Sequence, residues 1–83
     1  MVSVKWSPDA LVDLERIDPV IALRIVAKIS WLGENFSDVV PERLHRELRS
    51  LYKLRVGDYR AVYSVHLNVL VIEEVGHRRD IYK

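Results

Sequence analysis

The sequence has no cysteine, only three glycines and three prolines, and no long run of apolar residues in its 83 positions. Without cysteine, neither a disulfide nor a thiolate metal site can form. No segment approaches the roughly 20 apolar residues of a transmembrane helix, and the N-terminus has no apolar signal sequence. We therefore expect a cytoplasmic protein that does not enter a membrane.

Residue patterns that identify several enzyme classes are also missing. The chain has no pair of acids placed for acid–base catalysis, no nucleophilic serine motif and no glycine-rich loop for phosphate. We therefore expect a protein without a bound metal and without a cofactor.

Length and composition indicate one soluble globular domain over residues 1–83, and the order of predicted elements given below makes it an α+β domain. Apolar residues make up 49% of the chain and charged residues 30%, the usual balance of a globular protein. The net charge is only +1, but residues 1–41 hold four Lys/Arg against six Asp/Glu, and residues 42–83 hold nine against six. The cationic second half indicates a local binding site for an anion.

The first half of the chain predicts a short strand followed by two helices. Residues 2–6 alternate as a strand does. Ser7-Pro8 and Asp18-Pro19 are helix starts, because each pairs a capping side chain with proline at the first helical position. The second helix is predicted from about Pro19 to Glu34, and a tight antiparallel helical hairpin is expected. Residues 42–50 favour a helical turn that directs Arg43, Arg46 and Arg49 toward solvent.

The second half changes to a period of two, which predicts strands at residues 52–56, 59–65 and 69–75. The predicted order is β-α-α-β-β-β, with a mostly antiparallel four-stranded sheet packed on one face by the helices. Gly57-Asp58 is expected to form a two-residue type II′ turn, with Gly57 at positive φ.

This turn places Arg55 directly opposite Arg60 and sorts the strand residues onto two faces. Tyr52, Leu54, Val56, Tyr59, Ala61 and Tyr63 would face the helices, and Lys53 would join the two arginines on the other face. Two like charges in register destabilise a sheet unless an anion lies between them. We therefore expect Arg60→Ala to leave the melting temperature unchanged or to raise it.

The basic C-terminal segment is expected to reach the same place. Antiparallel pairing returns Val75 to a position beside Arg60, so that His77 and Arg78 emerge at the end of the Arg55/Arg60 pair, with Tyr82 following. A patch of guanidinium, ammonium, imidazole and phenol groups suits a phosphodiester. His77 is the favoured group for proton transfer, since its unperturbed pKa is about 6.5, and Lys53 is the alternative.

The segments YKLRVGDYRAVYSV (52–65) and VLVIEEVGHRRDIYK (69–83) resemble the RelE/ParE superfamily of bacterial toxins, whose signature is a basic strand, a Tyr-Arg hairpin and a Gly-[His/Lys]-Arg tail ending in Tyr. The resemblance covers about 33 of 83 residues and is greatest for the RelE type. That resemblance implies a ribosome-dependent endoribonuclease, which cleaves mRNA in the A site by attack of a ribose 2′-hydroxyl on its own 3′-phosphate.

The resemblance also implies roles for individual residues. Arg60 matches the arginine that stabilises the phosphorane, Arg78 the arginine near the leaving group, and Tyr82 the tyrosine that orients a base. Lys53 and His77 match proton-transfer or cationic positions. Arg55, Arg79 and Lys83 are expected to contact RNA. The sequence departs from RelE at two points. Leu51 stands where RelE has a lysine that serves as general base, and the tail between Arg78 and Tyr82 is one residue shorter.

The resemblance further implies a cognate antitoxin, whose extended segment covers the toxin in a heteromeric complex, and the ribosome with its mRNA as targets. The alternative within the same fold is a ParE-like toxin that poisons DNA gyrase and needs no catalytic residues.

Overall fold

The computed structural model describes residues 2–46 and 49–82. Along the chain these form β1 (Ser3–Trp6), α1 (Pro8–Glu15), α2 (Pro19–Glu34), a 3-10 turn (Phe36–Asp38), β2 (Glu42–Leu44), β3 (Leu51–Val56), β4 (Tyr59–His66), β5 (Val69–His77) and α3 (Arg78–Ile81). The strands form one sheet in the order β1-β5-β4-β3-β2, in which β1 is parallel to β5 and the other pairs are antiparallel. The α+β class is confirmed, but the sheet has five strands where four were predicted.

Both predicted helix starts are confirmed at the level of single hydrogen bonds. The Ser7 Oγ accepts from the backbone N–H of Ala10 at 3.1 Å and donates to the carbonyl of Glu73 at 3.0 Å, which ties α1 to β5. The Asp18 carboxylate accepts from the N–H of Val20 at 2.9 Å. These caps satisfy amide groups that the first turn of a helix leaves without partners.

The main core lies between the helices and one face of the sheet. Its fully buried members come from α1, α2, β4 and β5, and they are Ala10, Ile25, Ile29, Leu32, Ala61, Tyr63, Leu70, Ile72 and Val75. The other face has a smaller cluster, formed by Leu44, Leu51, Val62 and Ile81. The predicted separation of β3 and β4 side chains onto two faces is confirmed by these clusters.

Residues 42–46 differ from the predicted helical turn. Glu42–Leu44 pair with Leu51–Lys53 as the edge strand β2. Arg46 does not point freely into solvent, because its guanidinium binds the Glu74 carboxylate at 2.5 Å and the Ile81 carbonyl at 3.1 Å. Arg43 is exposed as expected. The local charge pattern could not predict β2, since this strand depends on a partner seven or more residues away.

A β-bulge in β5 changes the predicted register by one residue. Tyr63 lies opposite Ile72 and Val62 lies opposite Glu74, so Glu73 is the extra residue. As a result Gly76, and not Val75, lies beside Arg60. The bulge keeps Ile72 and Val75 in the helix-side core although they are three residues apart.

Helix α1 protects the β5 edge beyond the end of β1. There the Asp13 carboxylate accepts a hydrogen bond from the backbone N–H of Val75 at 3.0 Å. A side chain therefore takes the place of a neighbouring strand for this amide group. This contact holds α1 against the part of β5 that leads into the C-terminal segment.

Candidate functional site

The β3–β4 hairpin positions the cationic side chains as predicted. Gly57 has φ 59°, while Asp58 does not have positive φ, in agreement with a type II′ turn. Arg55 lies directly opposite Arg60, and Lys53 lies opposite Val62. These side chains are on the face of the sheet away from α1 and α2.

Helix α3 brings Tyr82 to this face. The buried Ile81 side chain packs into the cluster with Leu44, Leu51 and Val62, which draws the end of the chain across the sheet. The Lys53 Nζ then donates to the Tyr82 hydroxyl at 2.8 Å and lies 4.9 Å from the centre of the Tyr82 ring. We call Lys53, Arg55, Arg60 and Tyr82, together with Glu42, the cationic site.

Glu42 is the member of the cationic site that sequence reasoning missed. Its carboxylate accepts two hydrogen bonds from Arg55, at 2.8 and 2.6 Å, and lies 3.8 Å from the Lys53 Nζ. The hydrogen bond from Arg55 is the main cause that lowers the pKa of Glu42 to about 2. The same hydrogen bond raises the pKa of Arg55. Glu42 therefore provides an anion that neutralises Arg55, one of the two facing arginines.

Arg60 is buried, with only 6% of its surface exposed. Its Nη1 donates to the carbonyls of Gly57 and Tyr59, both at 2.9 Å. Within residues 2–46 and 49–82, no atom accepts a hydrogen bond from the buried Nε. The guanidinium is thus fixed in direction by the turn, and it retains an unused donor.

The Tyr82 phenol has an altered acidity. The hydrogen bond from Lys53 is the largest influence and lowers the pKa of Tyr82, and Arg60 acts in the same direction while burial opposes both. By contrast, burial raises the pKa of the core tyrosine Tyr63 to about 12. The cationic site therefore favours the phenolate of Tyr82 relative to an ordinary tyrosine.

His77 lies apart from the cationic site. It pairs with Tyr59, whose ring belongs to the helix side of the sheet, and the two rings meet edge to face with centres 5.4 Å apart. Its Nδ1 accepts from the backbone N–H of Arg79 at 3.2 Å, which caps α3. His77 also lines a cleft together with Asp13 of α1 and with Arg16, which follows that helix. The predicted convergence of His77 with Lys53 and Arg60 on one face is wrong, because residue 77 has the side-chain direction of Tyr59.

The remaining basic residues lie at the edge of the site or outside it. The Arg78 backbone N–H donates to the Asp58 carbonyl at 2.8 Å, and its exposed guanidinium lies 3.9 Å from the Asp58 carboxylate. Arg78 is therefore held at the turn that also binds Arg60. The Arg79 residue is exposed. Lys83 lies outside the described residues.

Among residues 2–46 and 49–82, no group of three or more His, Asp or Glu side chains could hold a metal ion. Within the same ranges, the helices are too short or too polar to cross a membrane.

Comparison with known structures gives the same fold. The toxin–antitoxin complex RelBE2 from Mycobacterium tuberculosis contains a chain 29% identical to this one, with 93% of this chain and 98% of that chain covered and a TM-score of 0.79. A chain of the intact RelBE complex of E. coli is 20% identical to this one, with 93% of this chain and 96% of that chain covered and a TM-score of 0.74. A chain of the chromosomal ParDE system from P. aeruginosa is 21% identical to this one, with 93% of this chain and 96% of that chain covered and a TM-score of 0.70. At 20% and 21% identity, the similarity to the E. coli and P. aeruginosa chains shows a shared fold and no more.

No curated protein matches the sequence significantly. The family described as the ParE toxin of the type II toxin–antitoxin system parDE matches residues 4–82, nearly the whole chain. The chain therefore belongs to the ParE toxin family, within the RelE/ParE superfamily of type II toxin–antitoxin systems.

Proposed function

We propose that this toxin is a ribosome-dependent endoribonuclease that cleaves mRNA in the A site. The observation that supports this choice most is the Lys53–Tyr82 hydrogen bond of 2.8 Å beside the buried guanidinium of Arg60. A poison that acts only by binding a protein needs no phenol of lowered pKa next to a fixed cation. Phosphodiester transfer needs both a proton acceptor and a stabiliser of charge.

In the proposed reaction the ribose 2′-oxygen attacks the adjacent 3′-phosphorus, and its proton passes to the phenolate oxygen of Tyr82, which the Lys53 ammonium stabilises. The bond from phosphorus to the 5′-oxygen breaks, and that oxygen takes up a proton from water. The products are a 2′,3′-cyclic phosphate and a 5′-hydroxyl. Arg60 stabilises the negative charge of the phosphorane, and Arg78 lies toward the leaving group. Lys53 and Tyr82 replace His77 in proton transfer, because His77 lies on the other face.

A gyrase-poisoning activity of the ParE kind is the second candidate. The family match over residues 4–82 favours it, as does the position of His77 outside the cationic site. In that case the cationic site would contact an acidic surface of a protein, and loss of Lys53 would weaken binding without loss of a chemical step.

We also propose a cognate antitoxin as the partner of this chain. The M. tuberculosis, E. coli and Methanococcus jannaschii relatives were solved as toxin–antitoxin complexes. Exposed apolar side chains on α1 and α2, including Leu11, Val20 and Leu23, offer additional surface for such a partner.

Induction in cells tests the choice between the two activities. We expect wild-type protein to stop translation and to produce new mRNA 5′ ends at A-site codons. Lys53→Met and Tyr82→Phe should each lower cleavage by roughly 10²- to 10⁴-fold, the usual contribution of acid–base catalysis. Lys5→Met, at an exposed position of β1, is the matched control. DNA-damage signalling without mRNA cleavage would instead identify the gyrase activity.

A further inference from the structure

A groove of about 240 Å³ adjoins the cationic site at the outer edge of β3. It lies between α2, the segment before β2, and β3 itself. Its lining includes Lys28, Trp31, Val40, Glu42, Lys53 and Arg55. Glu42, Lys53 and Arg55 belong to both the groove and the cationic site, so the two are continuous.

The groove exists because β2 covers only part of β3. Strand β2 pairs with Leu51–Lys53, and the chain before Glu42 leads away from the sheet. Within the described part of the chain, Leu54–Val56 therefore have no strand partner on the β2 side. Trp31 of α2 lines the groove together with Leu54 and Arg55 of this strand.

Trp31 lies partly outside the core, although tryptophan side chains are highly buried on average. Its surface is 45% exposed, although the adjacent Leu32 is fully buried. The Lys28 ammonium, one helical turn earlier, lies 4.8 Å from the centre of a Trp31 ring. An exposed aromatic ring under a cation is a combination that binds a nucleobase and its phosphate.

Charge and size narrow the class of ligand. The groove has three cations, Lys28, Lys53 and Arg55, against the Glu42 carboxylate, which Arg55 already pairs. Its volume is below the roughly 300–1,000 Å³ of pockets that enclose whole small molecules. A single planar ring that belongs to a negatively charged polymer fits a groove of this volume and charge better than a complete small molecule does.

We propose that the groove is a nucleotide subsite, in which Trp31 stacks on a base of single-stranded RNA adjacent to the phosphate in the cationic site. The stacked base displaces the Lys28 ammonium from the ring, and Lys28 then binds the phosphate of that nucleotide. This inference rests on the proposed nuclease function and assigns a specificity-determining residue to it.

Fluorescence of Trp31 gives a direct test in the intact chain. Trp6→Phe leaves Trp31 as the single tryptophan, and a 2′-O-methyl hexanucleotide cannot be cleaved through its 2′-oxygen. We expect this oligonucleotide to quench Trp31 fluorescence on binding. With a dye-labelled oligonucleotide, Trp31→Ala should weaken binding by roughly 5- to 100-fold, and Trp31→Phe should weaken it less, since a phenyl ring still stacks.

Leu23→Ala is the matched control, because Leu23 lies on the same helix, is 71% exposed and does not line the groove. It should bind the oligonucleotide like wild type. Equal affinity of Trp31→Ala and wild type, with unchanged melting temperatures, would overturn the subsite. Quenching by an acidic peptide but not by RNA would also overturn it and would identify the groove as a protein-binding surface.

A ribosomal cleavage assay separates this inference from the proposed function. If wild type cuts mRNA and Trp31→Ala cuts it with the same KM and sequence preference, the subsite is wrong and the function stands. If RNA quenches Trp31 but wild type does not cut mRNA on the ribosome, RNA binding stands and the nuclease function fails. We expect Trp31→Ala to raise KM more than it lowers kcat.

Discussion

Arg60 combines a structural contact with a proposed catalytic one. From the sequence alone, its position opposite Arg55 predicts an uncompensated repulsion. In the structure Glu42 neutralises Arg55, and Arg60 turns inward to bind two carbonyls of its own hairpin. Both arginines thus have partners of their own, and removal of Arg60 is no longer expected to relieve a repulsion between them.

Arg60→Ala should consequently destabilise the fold. It removes the two hydrogen bonds from Arg60 to the Gly57 and Tyr59 carbonyls, and each such bond contributes about 0.5–1.5 kcal/mol. Urea denaturation of the purified variant measures this loss. Arg79→Ala, at an exposed position, should change the free energy of unfolding by less than about 0.5 kcal/mol. An Arg60→Ala protein as stable as wild type would contradict the bracing role.

Glu42→Gln should strengthen binding of polyanions. The substitution keeps the shape of the side chain but removes the charge that competes for Lys53 and Arg55. We expect affinity for the 2′-O-methyl hexanucleotide to rise roughly two- to fivefold, the range of a surface ion pair. Glu34→Gln, an exposed acid at the end of α2, should have no such effect. Unchanged affinity in Glu42→Gln would mean that the Glu42 carboxylate does not compete with a bound polyanion for Lys53 and Arg55.

The Arg55–Glu42 ion pair should also have a defined pH range. The folded pKa of Glu42 is about 2, below its ordinary value of 4.5. A lowered carboxyl pKa contributes stability that is present above pH 4.5 and is lost as pH falls toward 2. NMR titration of the Glu42 carboxyl group should therefore show it still ionised at pH 4. A midpoint near 4.5 would show that the pair does not form in solution.

At the scale of secondary structure, the position of the C-terminal segment depends on how β5 ends. The bulge at Glu73 sets which residues face the helices, and the Asp13 carboxylate then binds the amide of Val75. Both features precede α3 in the chain, and α3 in turn brings Tyr82 to Lys53. The cationic site is thus supported by the bulge within β5 and by the contact of Asp13 at the edge of that strand.

Asp13→Ala should loosen this support. The Val75 amide loses its acceptor, and hydrogen bonds to charged groups contribute about 1.5–3 kcal/mol. We expect a lower melting temperature and faster hydrogen exchange at the amide of Val75. Glu15→Ala, two residues later on the same helix, removes an equal charge without this contact and should be close to wild type. Equal exchange rates in the two variants would refute the edge-protecting role.

At the scale of the whole molecule, 83 residues bury a modest core, and several apolar side chains on α1 and α2 stay exposed. A partner that binds only the folded chain raises its stability by about 2.7 kcal/mol at a hundredfold excess over Kd. Co-purification with the antitoxin encoded beside it should raise the melting temperature by roughly 10–20 °C. An antitoxin from an unrelated pair is the control, and no shift with the neighbouring antitoxin would contradict the proposed partnership.

Local chemistry in the sequence determined the helix starts and the β3–β4 hairpin. Ser7, Asp18 and Gly57 act within three residues of themselves, through a cap or a backbone angle, so their effects could be predicted without a fold. The pairing of Arg55 with Arg60 followed from the turn alone. The alternation of β3 and β4 also predicted correctly which side chains face the helices.

Tertiary structure alone decided that Glu42 belongs to the cationic site and that His77 does not. Glu42 joins it because β2 pairs with β3, and this pairing depends on residues beyond its own short, charged segment. His77 leaves it because a one-residue bulge and the alternation along β5 set its direction, and a shift of one residue moves a side chain to the other face. Arg46 turns inward because Glu74 and the end of α3 meet it there. Each of these outcomes depends on register between distant segments, which local sequence patterns do not specify.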